Sequence, residues 1–228
     1  MRFLTLFSTF ILFALGFLIL PTSVHAVTRT WDGGGGADTN WSTATNWSSD
    51  TAPTSADDVV FDNTSDNNST VDATFGGVVT SVSINSGYDG TITMARSLQT
   101  STTFTQASGT FTAAAQTLDI NSTFTLSAGT FTASSGSITL AGAMTISGSP
   151  TFNHNAGTLT FDGTTGATAS CNNVIFNLVI ITKGTNAVLH VSSNCSLPLG
   201  ANPTVTLSTS DDSNLTGTLS GSGTLTIS

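Results

Sequence analysis

"TFTQASGTFTA" (103–113) and "TFTLSAGTFTA" (123–133) are almost the same string, written twice and twenty residues apart. Self-similarity at a fixed period of this size marks stacked structural repeats. Inside each copy apolar and polar residues alternate, and Ser/Gly clusters bound the runs, which is the pattern of short, half-buried strands. The alternation continues through Leu118 and Ile120, Phe124 and Leu126, Phe131 and Ala133, and Ile138 and Leu140. Three such strands fill one period before the pattern restarts. Leu118, Ile138 and Leu159 then correspond, as do Ile120, Leu140 and Phe161. Phe104, Phe124 and Met144 form another row, and Phe111, Phe131 and Phe152 a fourth, its last step lengthened by one residue near Pro150. Three strands cannot bury an apolar face within one turn. Turns stacked about 4.8 Å apart bury all three faces and pair every strand. The expected fold is therefore all-β: a single-stranded β-solenoid, or parallel β-helix, of about 20-residue, three-strand coils. A β-sandwich also has short, evenly spaced strands, but it does not require this self-similarity.

Composition agrees. Thr supplies 44 of the 228 residues and Glu none. Thr is β-branched and suits a pleated, half-wet surface. Alternating runs also precede the clear repeat (Val59–Phe61, Val71–Ala73, Val82–Ile84, Ile92–Met94) and follow it (Val174–Ile181, Val188–Val191, Val205–Leu207, Leu215–Ile227). The solenoid domain is accordingly placed at 57–228. The final "GTLTIS" has no polar cap, and terminal repeats need one for solubility. The chain is thus expected to be a fragment with further repeats as its natural partner, and to self-associate through that end.

Residues 1–26 read as a signal peptide. Arg2 is a minimal basic region, an apolar run follows from Phe3 to Leu20, and Val24-His25-Ala26 offers the small residues of a cleavage site. An uncleaved membrane anchor is the rival reading. Beyond Ala26 the chain keeps Arg29, Arg96 and Lys183 against thirteen Asp, a net charge of 3 − 13 = −10. Such a surface repels a nucleic-acid backbone and anionic lipid alike. Export also opens two states to Cys171 and Cys195. Their spacing of 24 residues is slightly longer than one coil, and three or four extra residues around Lys183-Gly184-Thr185-Asn186 would put them on adjacent rungs. A disulfide and a stacked pair of reduced thiols both suit that spacing.

The segment 27–56, "VTRTWDGGGGADTNWSTATNWSSDTAPTSA", holds all three tryptophans, Trp31, Trp41 and Trp47. A solenoid end leaves open backbone groups and core, and large aromatics would cap it. A Trp platform for sugar rings is the alternative. The succession Trp31–Gly35, Asn40–Ser42, Asn46–Ser48 and Asp57–Phe61 resembles the N-termini of bacterial exported, Thr/Gly-rich β-helical surface proteins. The tail "NLTGTLSGSGTLTIS" is similar to the autotransporter-associated β-strand repeat. The resemblance implies a secreted or surface-displayed β-helical protein, often without assigned activity.

β-Helical scaffolds also resemble polysaccharide lyases and hydrolases. That chemistry needs clustered carboxylates and a basic partner. The clear coils offer only Asp119, Asp162 and His154, with Arg96 nearby, so no catalytic constellation is assigned. "GGGGAD" (33–38) nearly matches a calcium nonapeptide, but its large apolar position falls on Asn40, and a single copy reads better as a flexible loop. Asp57, Asp58, Asp62 and Asp66 are the calcium candidates, with Asp211-Asp212 as a further pair, and solvated acidic loops are the plainer reading. No phosphate loop follows the glycines, so no nucleotide cofactor is implied. The sequons at Asn40 and Asn46 carry little weight in a bacterial-type protein. Thr-x-Thr recurs at 103–105, 110–112, 123–125 and 130–132, as in certain ice-binding β-solenoids, but Ala143 and Asn153 take Thr positions in the third coil. The expectation is a secreted or cell-surface, structural or adhesive protein without catalysis, whose partner would be an extracellular glycan or protein. Carbohydrate binding, glycan cleavage and ice binding are the alternatives.

Overall fold

The computed structural model describes residues 26–184, 187–192 and 195–199, and strands at 204–208, 214–218 and 223–227. The expected signal segment, the Asp211-Asp212 pair and Thr185-Asn186 lie outside the described residues. Among the described residues, no helix is long and apolar enough to cross a membrane.

The chain winds as a β-solenoid of about six turns, about 21 residues apart, with almost no helix. Each full turn contributes one strand to each of three faces. The first face orders Thr28–Thr30, Asp58–Phe61, Ser81–Ile84, Phe104–Gln106, Phe124–Leu126, Met144–Ile146, Ala167–Ser170 and Leu189–Val191. The second runs Ser69–Val71, Thr91–Met94, Thr110–Thr112, Thr130–Thr132 and Thr151–Asn153. The third takes Val78–Val79, Leu98–Thr100, Leu118–Ile120, Ser137–Leu140, Thr158–Phe161, Leu178–Ile181 and Cys195–Leu199.

Parallel pairing sets one coil over the next in the register that the repeat implies. Phe104, Phe124 and Met144 are Cα partners, and so are Phe111, Phe131 and Phe152. Leu118, Ile138 and Leu159 pair likewise, beside Ile120, Leu140 and Phe161. All of these except Phe152 are buried, and Phe152 packs on the core from a half-buried position at the last rung of its face. The phenyl rings of Phe111 and Phe131 stack at 5.4 Å, and those of Phe131 and Phe152 at 5.8 Å. An inward polar residue interrupts one row: Gln106 sits between Ile84 and Leu126. Its amide nitrogen donates to the carbonyls of Ser108, Gly109 and Thr130, tying a corner to the next coil.

Corners explain the Ser/Gly clusters. Gly109, Gly129 and Gly148 take left-handed backbone angles between the first and second faces. A Cβ on Gly129 would come within 2.5 Å of the Gly109 carbonyl, so the stacked corners exclude a side chain. The opposite corner is held by Asn155, whose amide donates to the carbonyls of Ala114 and Ala133 in the two preceding coils.

Two boundaries differ from the sequence expectation. The segment 27–56 is part of the stack, since Thr28–Thr30 pairs in parallel with Asp58–Val60 and Asn40 bridges Thr70. At the other end the runs at 204–208 and 214–218 do not add coils. They pair with each other antiparallel, and Gly223–Ile227 pairs antiparallel with Cys195–Leu199. Alternation specifies a strand but not its direction, so the reversal leaves no mark in the sequence. The run expected over Val174–Ile181 shortens to Leu178–Ile181, with Ile175 left 71% exposed.

Cys171 and Cys195 form a disulfide with Cα atoms 5.0 Å apart, and both side chains are buried. It joins the sixth coil to the strand that ends the parallel stack. Of the two states left open by spacing, the structure has the bridge.

Two outcomes check this packing. Phe131→Ala should cost on the order of 3–5 kcal/mol, as for large aromatics truncated in a core. Thr132→Ser, on the outward position beside it, should cost well under 1 kcal/mol, so equal melting shifts would refute the assigned inward phase. In the purified protein, denatured without reductant, neither Cys171 nor Cys195 should take up iodoacetamide. Replacing both by Ser should lower stability by roughly 3 kcal/mol, the loop-closure value for a 24-residue separation.

Candidate functional site

The residues that set this chain apart from a bare repeat lie at the start of the stack. Trp31, Trp41 and Trp47 are all fully buried. Trp47 meets Trp31 edge-on at 5.1 Å and Trp41 edge-on at 5.4 Å. All three close over Phe61, with ring centres 5.7–5.8 Å away. Phe75 and Tyr88 extend the cluster. Every indole N–H is satisfied: Trp31 donates to the Asn67 carbonyl, Trp41 to Ser69 Oγ and Trp47 to the Trp41 carbonyl. Such aromatic pairs contribute about 0.5–1.5 kcal/mol each beyond their buried area. No indole face is open to stack on a sugar ring, so the platform reading is set aside.

Two polar side chains hold this head in place: Asn46, which the sequence marks only as a sequon and part of an N-W-S string, and Asp72, which it does not mark at all. Asn46 is fully buried. Its Oδ1 accepts from the Gly35 N–H at 2.8 Å, and its Nδ2 donates to the carbonyls of Asp38 and Asn40. The Asn46 carbonyl also accepts from the N–H groups of Asp32 and Gly33. A Cβ on Gly34 would approach the Thr45 carbonyl to 2.5 Å, and one on Gly35 would approach Asn46 Oδ1 to 2.5 Å. The glycine run is thus a fixed turn wrapped on Asn46, which corrects its reading as a flexible loop. Burial also bars Asn46 from carrying a glycan in the folded chain.

Asp72 is the second anchor. Its carboxylate accepts from the Ser42 N–H and hydroxyl at 2.9 Å each, and from the Thr74 N–H at 3.0 Å and hydroxyl. Burial alone would raise its pKa, but these four hydrogen bonds outweigh it and hold the group at about 2. A similar clasp forms at Asp57, which accepts from the Thr54 N–H and hydroxyl and lies 3.7 Å from Arg29 Nε. Burial opposes its charge too, yet Thr54 and Arg29 keep it below the usual carboxylate range.

The calcium candidates do not converge. Asp57 serves Thr54 and Arg29, whereas Asp58 accepts from the Ser81 hydroxyl on the next coil. Asp62 caps the Thr64 N–H, and Asp66 accepts from the Asp89 N–H. Among the described residues no three His, Cys, Asp or Glu side chains gather as a metal site. Asp119 faces outward on the third face, where Gln99 and Thr139 donate to it. His154 lies at a corner, with Nδ1 accepting from the Ala156 N–H at 3.0 Å, which leaves the proton of the neutral ring on Nε2. Asp162 lies two coils beyond Asp119 on the third face, and Lys183 near it donates to the Ala141 carbonyl at 3.0 Å. An apolar cavity of about 30 Å³ lies between Phe124, Phe131, Met144, Phe152 and Phe176, with His154 on its lining but neither Asp119 nor Asp162. That is room for little more than a water molecule.

The Thr-x-Thr strings separate. Those at 103–105 and 123–125 belong to the first face, and those at 110–112 and 130–132 to the second. These features define a class, a disulfide-closed β-solenoid with an aromatic head. No family model matches the chain, and no curated protein or solved structure is significantly similar to it.

The Asp72 clasp generates a pH dependence. A carboxylate whose folded pKa is depressed adds stability above its unfolded value near 3.9, and that stability fades as pH falls toward the folded value. Between about pH 4 and pH 2 the wild type should lose on the order of 2 kcal/mol through Asp72. Asp72→Asn should be less stable at pH 7, and its deficit against wild type should close over that window. A deficit that stays constant in urea titrations from pH 7 to pH 2 would rule this clasp out as the cause.

Proposed function

We propose that this chain is a non-enzymatic structural or adhesive element, exported and displayed at a bacterial cell surface or released from it. One observation carries the reading: the polar side chains that could have done chemistry are committed to building. Asp72 and Asn46 hold the head, Asp57 binds Thr54, Asp119 bridges neighbouring coils, and His154 closes a corner. The interior is filled by stacked apolar rows and the terminal coil is cross-linked. Such a body offers length, resistance to unfolding and regular outer faces, which are the properties a stalk or adhesin uses. The Trp-rich N-terminal pattern and the export signal read from residues 1–26 support the address. A natural ligand of this class would be an extracellular glycan or protein.

Export and display are testable together. The full chain, tagged at its C-terminus and produced in a bacterial host, should lose residues 1–26. It should then appear in the medium or be accessible to protease on intact cells. Accumulation of the uncleaved chain inside the cell would overturn the address. Clearing zones on acidic glycans in zymograms would overturn the non-enzymatic reading.

A further inference from the structure

We propose that the second face is an ice-binding surface, its partner being the face of a growing crystal of water. The pairing registers assemble two straight columns of threonine there. Thr91, Thr110, Thr130 and Thr151 follow one another as Cα partners in the first column. Thr70, Thr93, Thr112 and Thr132 do so in the second. Eight threonines on five consecutive strands therefore form one array. It is longer than the string pattern shows, because Thr70, Thr91 and Thr93 precede the clear repeat and Thr151 follows it. Ala143 belongs to the first-face side of its coil and does not interrupt the array. Asn153 ends the second column, where its Oδ1 is occupied by the Asn155 N–H.

Three properties set this face apart from the other two. It is uncharged, for no strand in it contains an ionisable residue. Its hydroxyls are free of the protein: among the described residues only Thr70 of the eight bonds another side chain, Thr39. On the first face, by contrast, Thr105 bonds Ser83, and the outward positions include Asp58 and His190. On the third face Asp119 gathers Gln99 and Thr139, and Ile180 stands exposed. The third property is rigidity. Each Thr pair flanks an inward residue, and Phe111, Phe131 and Phe152 are stacked ring on ring directly behind the array. β-Branched Thr has a restricted χ1, so its hydroxyl and methyl are held at fixed points.

The resulting lattice repeats about 4.8 Å along the stack and about 6.7 Å along each strand. Both spacings lie near oxygen repeats on faces of hexagonal ice. Each hydroxyl can hold one water, while the methyls confine the waters between columns, so the bound layer is ordered in two dimensions before it meets the crystal. Charge would orient that water around ions instead, and this face has none. A crystalline polysaccharide is the competing flat partner, but sugar rings are recognised by exposed aromatics, and none points outward here. Trp31, Trp41 and Trp47 are all buried elsewhere.

The test uses the purified, exported chain at millimolar concentration in a nanolitre osmometer, with ice recrystallisation as a second readout. Wild type should show a gap between melting and growth and should keep ice grains small. Thr112→Tyr and Thr130→Tyr, which break the lattice on the second face, should lose both effects, and Thr125→Tyr on the first face should keep them. Melting curves confirm that each variant is folded. Should the Tyr variants misfold, Thr112→Val with Thr130→Val preserves shape and should still diminish the gap. The proposal is overturned if wild type shows neither effect or if Thr125→Tyr is as damaging as Thr130→Tyr. Retention of wild type on cellulose or chitin without any growth gap would overturn it in favour of the polysaccharide.

Discussion

Everything in this protein depends on the coil-to-coil ladder of parallel strands. A three-residue strand such as Phe124–Leu126 has no stability of its own. It persists because Phe104–Gln106 lies on one side of it and Met144–Ile146 on the other. The ladder also dictates which side chains are allowed. An inward residue must rest on the inward residue of the coil below, which is why Phe111, Phe131 and Phe152 recur in one column and Leu118, Ile138 and Leu159 in another. Corners obey the same constraint, for Gly129 lies so close to the Gly109 carbonyl that a methyl group would not fit.

A ladder has two ends, and each must be closed by other means. At the start, the chain spends its three tryptophans and the buried Asn46 on covering Phe61. The cover is polar where it meets backbone and apolar where it meets the core, so no indole N–H is left unpaired. At the far end the direction of pairing reverses, with Gly223–Ile227 running antiparallel along Cys195–Leu199. The Cys171–Cys195 bridge lies beside that reversal. A covalent link is useful there because the phenyl ladder has already ended at Phe152, and Phe176 meets it only edge-on at 5.3 Å.

How far the sequence alone reaches follows from what each feature depends on. The solenoid, its period and its four apolar rows were legible because they rest on alternation and self-similarity, both written directly in the string. The inward phase of Phe131 follows from the same logic. Asn46 and Asp72 were not legible. Asn46 acts through backbone groups 6 or more residues away, and Asp72 joins its neighbour Thr74 to Ser42, 30 residues away, so nothing local shows which Asn or Asp will be the anchor. The glycine run looked like a loop because its partner, Asn46, is identified only by folding. The antiparallel end escaped for a related reason, since Leu215 and Ile227 alternate just as Leu118 and Ile120 do. The Thr strings were visible but could not be assigned to faces. The two kinds differ only in their place within the coil, and a face is a property of the stack.

That last point separates two jobs within one repeat. Inward positions are chosen by packing, which tolerates exchange among Phe, Leu, Ile and Met so long as volume is kept. Phe104, Phe124 and Met144 show that tolerance in a single row. Outward positions are free of that demand, so any regularity among them needs a separate cause. On the third face the cause is visible, because Asp119 ties Gln99 to Thr139 and so welds three coils from the outside. On the second face, among the described residues, the outward threonine hydroxyls bond no side chain beyond the Thr70–Thr39 pair, yet they are the most regular of all. Strand propensity accounts for Thr at each position taken singly. It does not account for Thr at eight of the nine outward positions of these five strands, Asn153 being the ninth, when the other two faces admit Asp, Val and Ser at equivalent positions. Order that the fold does not require points to something outside the fold.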